Sequence, residues 1–591
     1  MQREMAVQIR AWLAVFLTLA KPRSHIDFNG KALGYPSSRR LWAWIAVVCL
    51  IIFPPFTLAS EPLRPTAASA TLLRGSEKVV GPLPGATPMH IAVALKIHNR
   101  VALDEFIASA SGKAMPQERL RADHLPTQSQ AQAVFNFLQH AGFKNILIAD
   151  NRLLVMADGT AALAEAAFGA SLQQVLTADG RSAYANSRDV AIPKGFDDTI
   201  LSIIGLQTVH RPHTMIAKPS AYALPGDSQP SALQAHNPLE FASIYGANGE
   251  PTAAGVQIGI ITAGSLANVL NDLSTFAQNN QLGPVATQIV QSGAASTDTS
   301  NDNEWDLDSQ DILGMSGGAV GKIIFYNTTS LNYASLVGSF NAAVSSNVAK
   351  IINVSLGGCE TDALNAGIVA TLDQTFALAV AQGQTFSVST GDKGADECGD
   401  GGTTPSWPAA SQYVIAVAGT TLDATTTTWN SETVWNNGIG NATGGSESKF
   451  ETKPSWQTSW AGPRRGVADV AFDGNPNTGA VIIVDGHSAK WGGTSLSAPL
   501  FSGMWARMIA SKGTTIGFAG PMIYQLAPYA FHDISSGNNN GETAGVGYDL
   551  CSGRGSMIMR SAVIGHHPGR AATVLRILSI NSDLIFQNSF E

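Results

Sequence analysis

The stretch that decides the fold is IINVSLGGCETDALNAGIVATLDQTFALAVAQGQTFSVSTGD, residues 351–392. Ile351-Ile352-Asn353-Val354-Ser355 reads as a buried strand, Ala363 to Gly383 as a helix, and Thr385-Phe386-Ser387-Val388-Ser389 as a second buried strand. Strands this continuously apolar are covered on both faces, and alternation with helices implies that they run parallel. The same texture extends outward. Val256-Gln257-Ile258-Gly259-Ile260-Ile261 and Ile323-Ile324-Phe325-Tyr326 lie upstream, and Val414-Ile415-Ala416-Val417-Ala418 lies downstream. The expectation is an α/β domain over residues 239–564, a parallel sheet with helices on both faces. Sites in such sheets form on loops at the carboxyl ends of the strands.

Upstream the texture differs. Residues 61 to about 85 are rich in Pro, Ala and Gly and read as a leader strand or linker. Ile91 to Leu95 reads as a strand and Val101 to Ser111 as a helix. Ser129 to Gly142 is an amphipathic helix with Ala133, Val134, Phe137 and Leu138 on its apolar side and Gly142 as its stop. Ile146 to Ala149 and Leu153 to Ala157, joined by Asp150-Asn151-Arg152, form a hairpin-like pair. These elements predict a smaller α+β domain within residues 61–211. Residues 212–238, rich in Pro, Ser and Ala without periodicity, read as an exposed linker.

Leu41 to Phe53 is an apolar run behind Arg39-Arg40 and ahead of Thr57-Leu58-Ala59-Ser60. Its length and flanks fit a signal peptide cleaved near Ala59 or Ser60, within a leader of residues 1–60; an uncleaved anchor is the alternative. Of four cysteines, Cys49 would leave with the signal. Cys359 and Cys398 sit in Gly-rich loops where a disulfide would suit an exported protein, although other pairings with Cys551 stay open. Only 14% of residues are charged, so acidification changes few charges. A net charge of −8 leaves no basic footprint for nucleic acid.

The chemistry-bearing residues lie at strand and helix ends. Ser495 follows Gly492-Gly493-Thr494 and precedes a helical run, Ala498 to Ile509, with Pro499 in its first turn. A serine at a helix N-terminus has amides and the positive dipole end to hold an oxyanion, although helix capping would also explain it. A serine nucleophile needs a base. His487 and His532 are nearly the only histidines of this region before His566-His567, and neither sits in a Gly-flanked motif that opens a helix. Asn303-Glu304-Trp305-Asp306-Leu307-Asp308 offers carboxyls instead. On a helix Glu304 and Asp308 stand at i and i+4, close enough to share a proton. Asp392, just past a buried strand, could donate from its protonated form to an oxyanion. Alone, the acidic run could complement a helix dipole and Asp392 could make a turn.

Together these residues resemble the sedolisin family of serine-carboxyl peptidases, which have a subtilisin-like fold. ExxxD at Glu304 and Asp308, SxGDxG at Asp392 and GTSxxxP at Ser495 occur in the family's order. The resemblance implies Glu304 as base, Asp308 as its partner, Asp392 as oxyanion donor and Ser495 as nucleophile. Ser355-Leu356-Gly357-Gly358 is similar to the family's substrate-lining segment. Gly444-Gly445-Ser446, Lys453 to Gln457 and Gly466 to Val470 are similar to further family stretches, with Ala468 where the family usually has Pro. Asp533-Ile534 and Gly545-Val546-Gly547-Tyr548-Asp549 resemble its calcium loop. One structural Ca2+ is implied, held by the Asp533 and Asp549 carboxylates and the Ile534, Gly545 and Gly547 carbonyls. Residues 90–206 resemble the family's propeptide, of the pro-kumamolisin activation type, an inhibitory chaperone cut away within the 212–238 linker. A tail, residues 565–591, falls outside the resemblance.

The expectation is a secreted, acid-active endopeptidase zymogen, monomeric and periplasmic at most in transit, with peptides as substrates and its own propeptide as inhibitor. A tripeptidyl peptidase, a catalytically silent binding protein and a histidine-based hydrolase using His487 or His532 are the alternatives.

Overall fold

The computed structural model describes residues 63–109, 113–219, 233–513 and 516–566. The leader with its signal segment, the middle of the linker and nearly all of the 565–591 tail lie outside the described residues.

The larger domain is built on an eight-stranded sheet. Its order is Thr287–Ser292, Val320–Thr328, Ala253–Ala263, Ile351–Val354, Thr385–Ser389 and Ile415–Ala424, all parallel. Trp429–Val434 then adds antiparallel and Val470–Asp473 parallel, both to Ile415–Ala424. The central strands are apolar along their length because helices cover both faces, and Ile351, Ile352, Phe386 and Val388 are fully buried. Two helices flank the chemistry, Asp302–Met315 and Thr494–Lys512, and they pack against each other.

The predicted helix over Ala363 to Gly383 is two helices, Glu360–Asn365 and Ile368–Ala381. Gly367 separates them with φ of +71°, and a Cβ there would strike Ser202 of the smaller domain. Only glycine satisfies both demands. The helix at Ser495 also begins earlier than predicted. It starts at Thr494, so Pro499 lies beyond the first turn, and the missing amide leaves the Ser495 carbonyl without its i+4 partner.

The smaller domain carries a four-stranded antiparallel sheet, ordered Lys144–Ile148, Leu154–Thr160, Pro88–Leu95 and Ile200–Ile204. Helix Gln128–His140 opens with a capping box from Thr127 and Gln130 and buries Ala131, Val134 and Leu138. Ala133, predicted on that apolar side, is exposed. Strand Pro88–Leu95 shows how the domains join. Ile91, Val93 and Leu95 face the domain's own core, while Ala92 and Ala94 enter the core of the larger domain.

Polar contacts reinforce the junction. Arg74 grips Asp362 through two nitrogens at 2.6 Å each, and His210 Nδ1 lies 3.2 Å from the same carboxylate. Asn151 and Asn341 exchange hydrogen bonds of 2.7 and 3.1 Å. Asp362 is 6% exposed, so removing it strands the Arg74 guanidinium at a nearly dry interface. Asp362→Ala in the full chain at pH 7 should speed hydrogen exchange in the 69–74 segment at least about tenfold. Unchanged protection there would show that the carboxylate does not hold the smaller domain.

Candidate active site

The sequence places five acidic residues on one helical segment, and the fold buries four of them completely and Asp302 nearly so. Glu304, Asp306, Asp308 and Asp311, on helix Asp302–Met315, are each 0% exposed. Trp305 anchors the helix by donating from Nε1 to the Ala263 carbonyl at 2.9 Å, at the end of the central strand. Burial raises the Glu304 pKa well above the usual carboxyl range, and the facing Asp308 adds to the rise. Asp308 is raised too, again by burial, against the hydrogen bonds of Ser355 and Asn353 that favour its charged form. Ser355 Oγ donates to Asp308 at 2.6 Å, Asn353 Nδ2 donates to Ser355 Oγ at 3.0 Å, and Ser502 Oγ donates to Asn353 at 3.2 Å. Two coupled carboxyls without a cation hold at least one proton between them.

Ser495, also 0% exposed, is the second residue of its helix. Its hydroxyl has no hydrogen-bond partner, and neither do the two Glu304 oxygens. The serine nevertheless lies close enough to Glu304 to favour the ionised carboxylate. Asp392 stands on the other side. Its Oδ1 accepts from the Thr494 amide and hydroxyl, both at 2.8 Å, and burial pushes its pKa up to about 7. Thr494 also accepts from the Gly391 amide at 3.1 Å, so this residue of the GTS run locks Asp392 onto the helix start. The histidines are elsewhere. His487 is exposed in a hairpin, and His532 stacks on Trp429 with ring centroids 3.8 Å apart and its pKa lowered to about 4 by burial. Neither bonds Ser495.

The cleft is occupied by the chain itself. His213 and Thr214 pair antiparallel with Gly357 and Leu356, and the Met215 amide donates to the Ser355 carbonyl at 3.3 Å. On the opposite wall Ala217 and Gly492 exchange backbone bonds of 2.9 Å each. The Ser495 amide donates to the Met215 carbonyl at 2.9 Å. Gly493 permits this approach: at φ +99°, any Cβ would strike the Met215 oxygen and lie 2.7 Å from Asp392 Oδ2. A cavity of about 550 Å³ elsewhere, lined by Arg100, Asp104, Tyr413 and Trp456, lies between the domains and away from these groups.

Sedolisin of Pseudomonas sp. (strain 101) is 41% identical over 502 residues, which is 79% of this chain and 85% of the relative. This chain belongs to the sedolisin family. Xanthomonalisin of Xanthomonas sp. (strain T-22) is 37% identical over 590 residues, 87% of this chain and 71% of the relative. Residues 76–209 match the pro-kumamolisin activation domain and residues 259–519 the subtilase family. The solved structure of Pseudomonas sedolisin, a serine-carboxyl proteinase complexed with pseudo-iodotyrostatin, is 44% identical. It superimposes with a TM-score of 0.55, covering 57% of this chain and 99% of that one. The chain is therefore a serine-carboxyl peptidase of the sedolisin family, made with a propeptide activation domain. The subtilisin-like fold implied by the family resemblance, on the parallel sheet expected from the strand texture, is the one found.

The structure thus gathers Glu304, Asp308, Asp392 and Ser495 at one cleft and sets Leu356 and Gly357 along its wall. Ser355 does more than line the cleft, because its side chain is spent on Asp308. Thr494, Asn353 and Ser502 were missed from sequence; Thr494, inside the GTS run, is the one whose position could have flagged it. Cys359 and Cys398 form a disulfide, and Cys551 is free and buried.

The calcium candidates also converge. Asp549 accepts from the Gly545 amide and Asp533 from the Gly547 amide, each at 3.0 Å, so both carboxylates clasp one glycine loop. The Ile534 carbonyl lies beside them, accepting from Ser552 at 3.4 Å. Burial raises the pKa of Asp549, and among the described residues no basic side chain pairs with either Asp. A desolvated carboxylate beside a second one and a carbonyl is a hard-oxygen set that fits Ca2+.

The buried carboxyls make a sign prediction. Burial with Asp272 and Asp302 nearby pushes Asp306 up to about 9, Asp302 rises to about 6, and Glu451 to about 9. Folded values above unfolded ones mean that the native state binds more protons, so stability is greatest in acid and is lost as pH climbs from about 4 to 9. The melting temperature of the Ser495→Ala chain should fall over that range. Asp306→Asn, which mimics the protonated acid, should flatten the fall by up to about 1.4 kcal/mol per pH unit. A melting temperature that rises with pH would contradict this charge state.

Proposed function

We propose that the chain is an exported, acid-active endopeptidase, which hydrolyses peptide bonds through an acyl-enzyme on Ser495. The observation that carries this is the neighbourhood of the Ser495 hydroxyl: a buried carboxyl pair on one side, Asp392 on the other, and no bonded histidine. Glu304 takes the serine proton during attack and returns it to the leaving nitrogen. Asp308, held by Ser355, keeps the proton of the pair, so Glu304 is the ionised member before attack and both carboxyls are neutral once it has taken the serine proton. The Ser495 amide and protonated Asp392 donate to the oxyanion, and they act when charge develops there. All of these groups come from a single chain, which suits a monomer.

Endopeptidase action is favoured over release of tripeptides by the path of the bound segment. Upstream of Met215 the chain continues through Thr214 and His213, paired with Leu356 and Gly357, to Arg211, whose carbonyl lies beside Gly358. The Cys359–Cys398 disulfide supports export to an oxidising compartment. No helix among the described residues is long and apolar enough to cross a membrane. Bound Ca2+ at Asp533, Ile534, Gly545, Gly547 and Asp549 would supply positive charge that stiffens this loop, remote from the reacting atoms.

The matured enzyme should show a bell-shaped pH dependence. Activity falls on the alkaline side as Asp392 loses its proton through about 7, and on the acid side as the carboxyl pair takes up its second proton. Ser495→Ala should abolish turnover of a denatured protein while the chain still folds. A rate that stays flat to pH 8, or that climbs through the histidine range, would remove the three-carboxyl mechanism. Separately, calcium at about a hundredfold over its dissociation constant should raise the melting temperature by about 3 °C. Asp549→Ala should erase that response; a calcium-insensitive wild type would end the assignment.

A further inference from the structure

Residues 213–217 lie in the cleft as a substrate would. The upstream part adds as a strand to Leu356–Cys359, and the downstream part pairs with Gly492, so the segment is gripped on both sides of the nucleophile. Main-chain pairing of this kind fixes both direction and register. The register is set at one point. The carbonyl that meets the Ser495 amide, where an oxyanion is stabilised, belongs to Met215. The Met215 side chain is 1% exposed and is seated against Gly357, where an added Cβ would lie 2.8 Å from its Cε and collide with Ser406. Ile216 on the far side is only half-buried.

We propose that Met215–Ile216 is the first bond the zymogen cuts, in its own chain, and that the pocket beside Gly357 and Ser406 selects apolar side chains without branching at Cβ, such as methionine. This rests on the serine-carboxyl reading above. Ser495 Oγ adds to the Met215 carbonyl carbon and its proton passes to Glu304. The bond to the Ile216 nitrogen then breaks, and that nitrogen takes the proton from Glu304 to leave as an amine. Met215 remains as an ester on Ser495. Water adds to the ester, gives a proton back through Glu304 to the serine oxygen, and releases the new Met215 carboxyl end. The cut leaves the propeptide ending at Met215 and the peptidase beginning at Ile216.

The test is to acidify the purified full chain to about pH 4, near the ordinary carboxyl pKa, and follow new termini by mass spectrometry at early times over a dilution series. The expected result is that Ile216 appears first as a new N-terminus, at a rate independent of protein concentration, and that the Ser495→Ala chain stays whole. Met215→Leu should keep that rate within about threefold. Met215→Lys, which puts a charge into an apolar pocket, should slow it at least about tenfold. The proposal is overturned if the earliest new end lies elsewhere, if the 215–216 cut accelerates with concentration, or if Met215→Lys cuts as fast as Met215→Leu. Digestion of an added denatured protein separates the two readings. A chain that digests it but first cuts itself elsewhere loses this proposal and keeps the serine-carboxyl mechanism; a chain that does neither loses both.

Discussion

Helix Asp302–Met315 carries four fully buried carboxyls and no basic residue, and none of the four is paired with a cation among the described residues. Desolvating an ionised carboxylate costs far more than a fold of marginal stability can spare, so these groups stay protonated or share protons. That one constraint shapes the rest of the molecule. The Trp305 anchor, the Ser355–Asn353–Ser502 chain of donors and the packing of Thr494–Lys512 all serve to hold a helix that ordinary electrostatics would expel. The same protons that let the helix be buried are the ones a serine hydroxyl can exchange with.

The arrangement also explains why glycine recurs around the nucleophile. A substrate carbonyl must reach the Ser495 amide, so the backbone before the helix has to be bare and turned to positive φ at Gly493. On the facing wall, Gly357 leaves room for the side chain that precedes the carbonyl. These are space requirements of a bound peptide, and the bound peptide in this structure is the chain's own residues 213–217.

Much of this was legible in the sequence, for identifiable reasons. Glu304 and Asp308 at i and i+4, Asp392 past a buried strand and Ser495 after a glycine pair are local patterns, and the long apolar strands announce a sheet covered on both faces. What could not be read was set by contacts distant in sequence. Gly367 breaks a well-patterned helix because Ser202, more than 150 residues away, occupies the space. Residues 213–217 read as a featureless linker because two residues of strand pairing carry no periodicity, and their order comes wholly from the walls of the cleft. The Ser495 helix starts at Thr494, ahead of the start that Pro499 signals locally, because tertiary packing tolerates the proline inside it.

The propeptide is tied to the peptidase by two kinds of bond with different responses to acid. Ala92 and Ala94 belong to the peptidase core, a contact that pH does not touch, which suits a domain that helps the peptidase fold. Two of the polar ties end on carboxylates, Asp362 with Arg74 and His210 and Glu397 with His213 at 3.2 Å, while Asn151 and Asn341 join through neutral amides. Burial would raise the Glu397 pKa, but the His213 hydrogen bond and charge outweigh it and keep the value below the ordinary one. A carboxylate with a depressed value contributes its tie above the unfolded pKa and surrenders it as pH falls through the folded one. Acid therefore weakens the Glu397 tie to His213 while it leaves the apolar contacts, and Asp392 is protonated over the same range. Once the connecting segment is severed, the apolar contacts remain, and they include Leu103, Met115, Leu120, Leu154 and Ile204 beside the two alanines. The same fall in pH thus loosens the segment that fills the cleft and protonates the oxyanion donor.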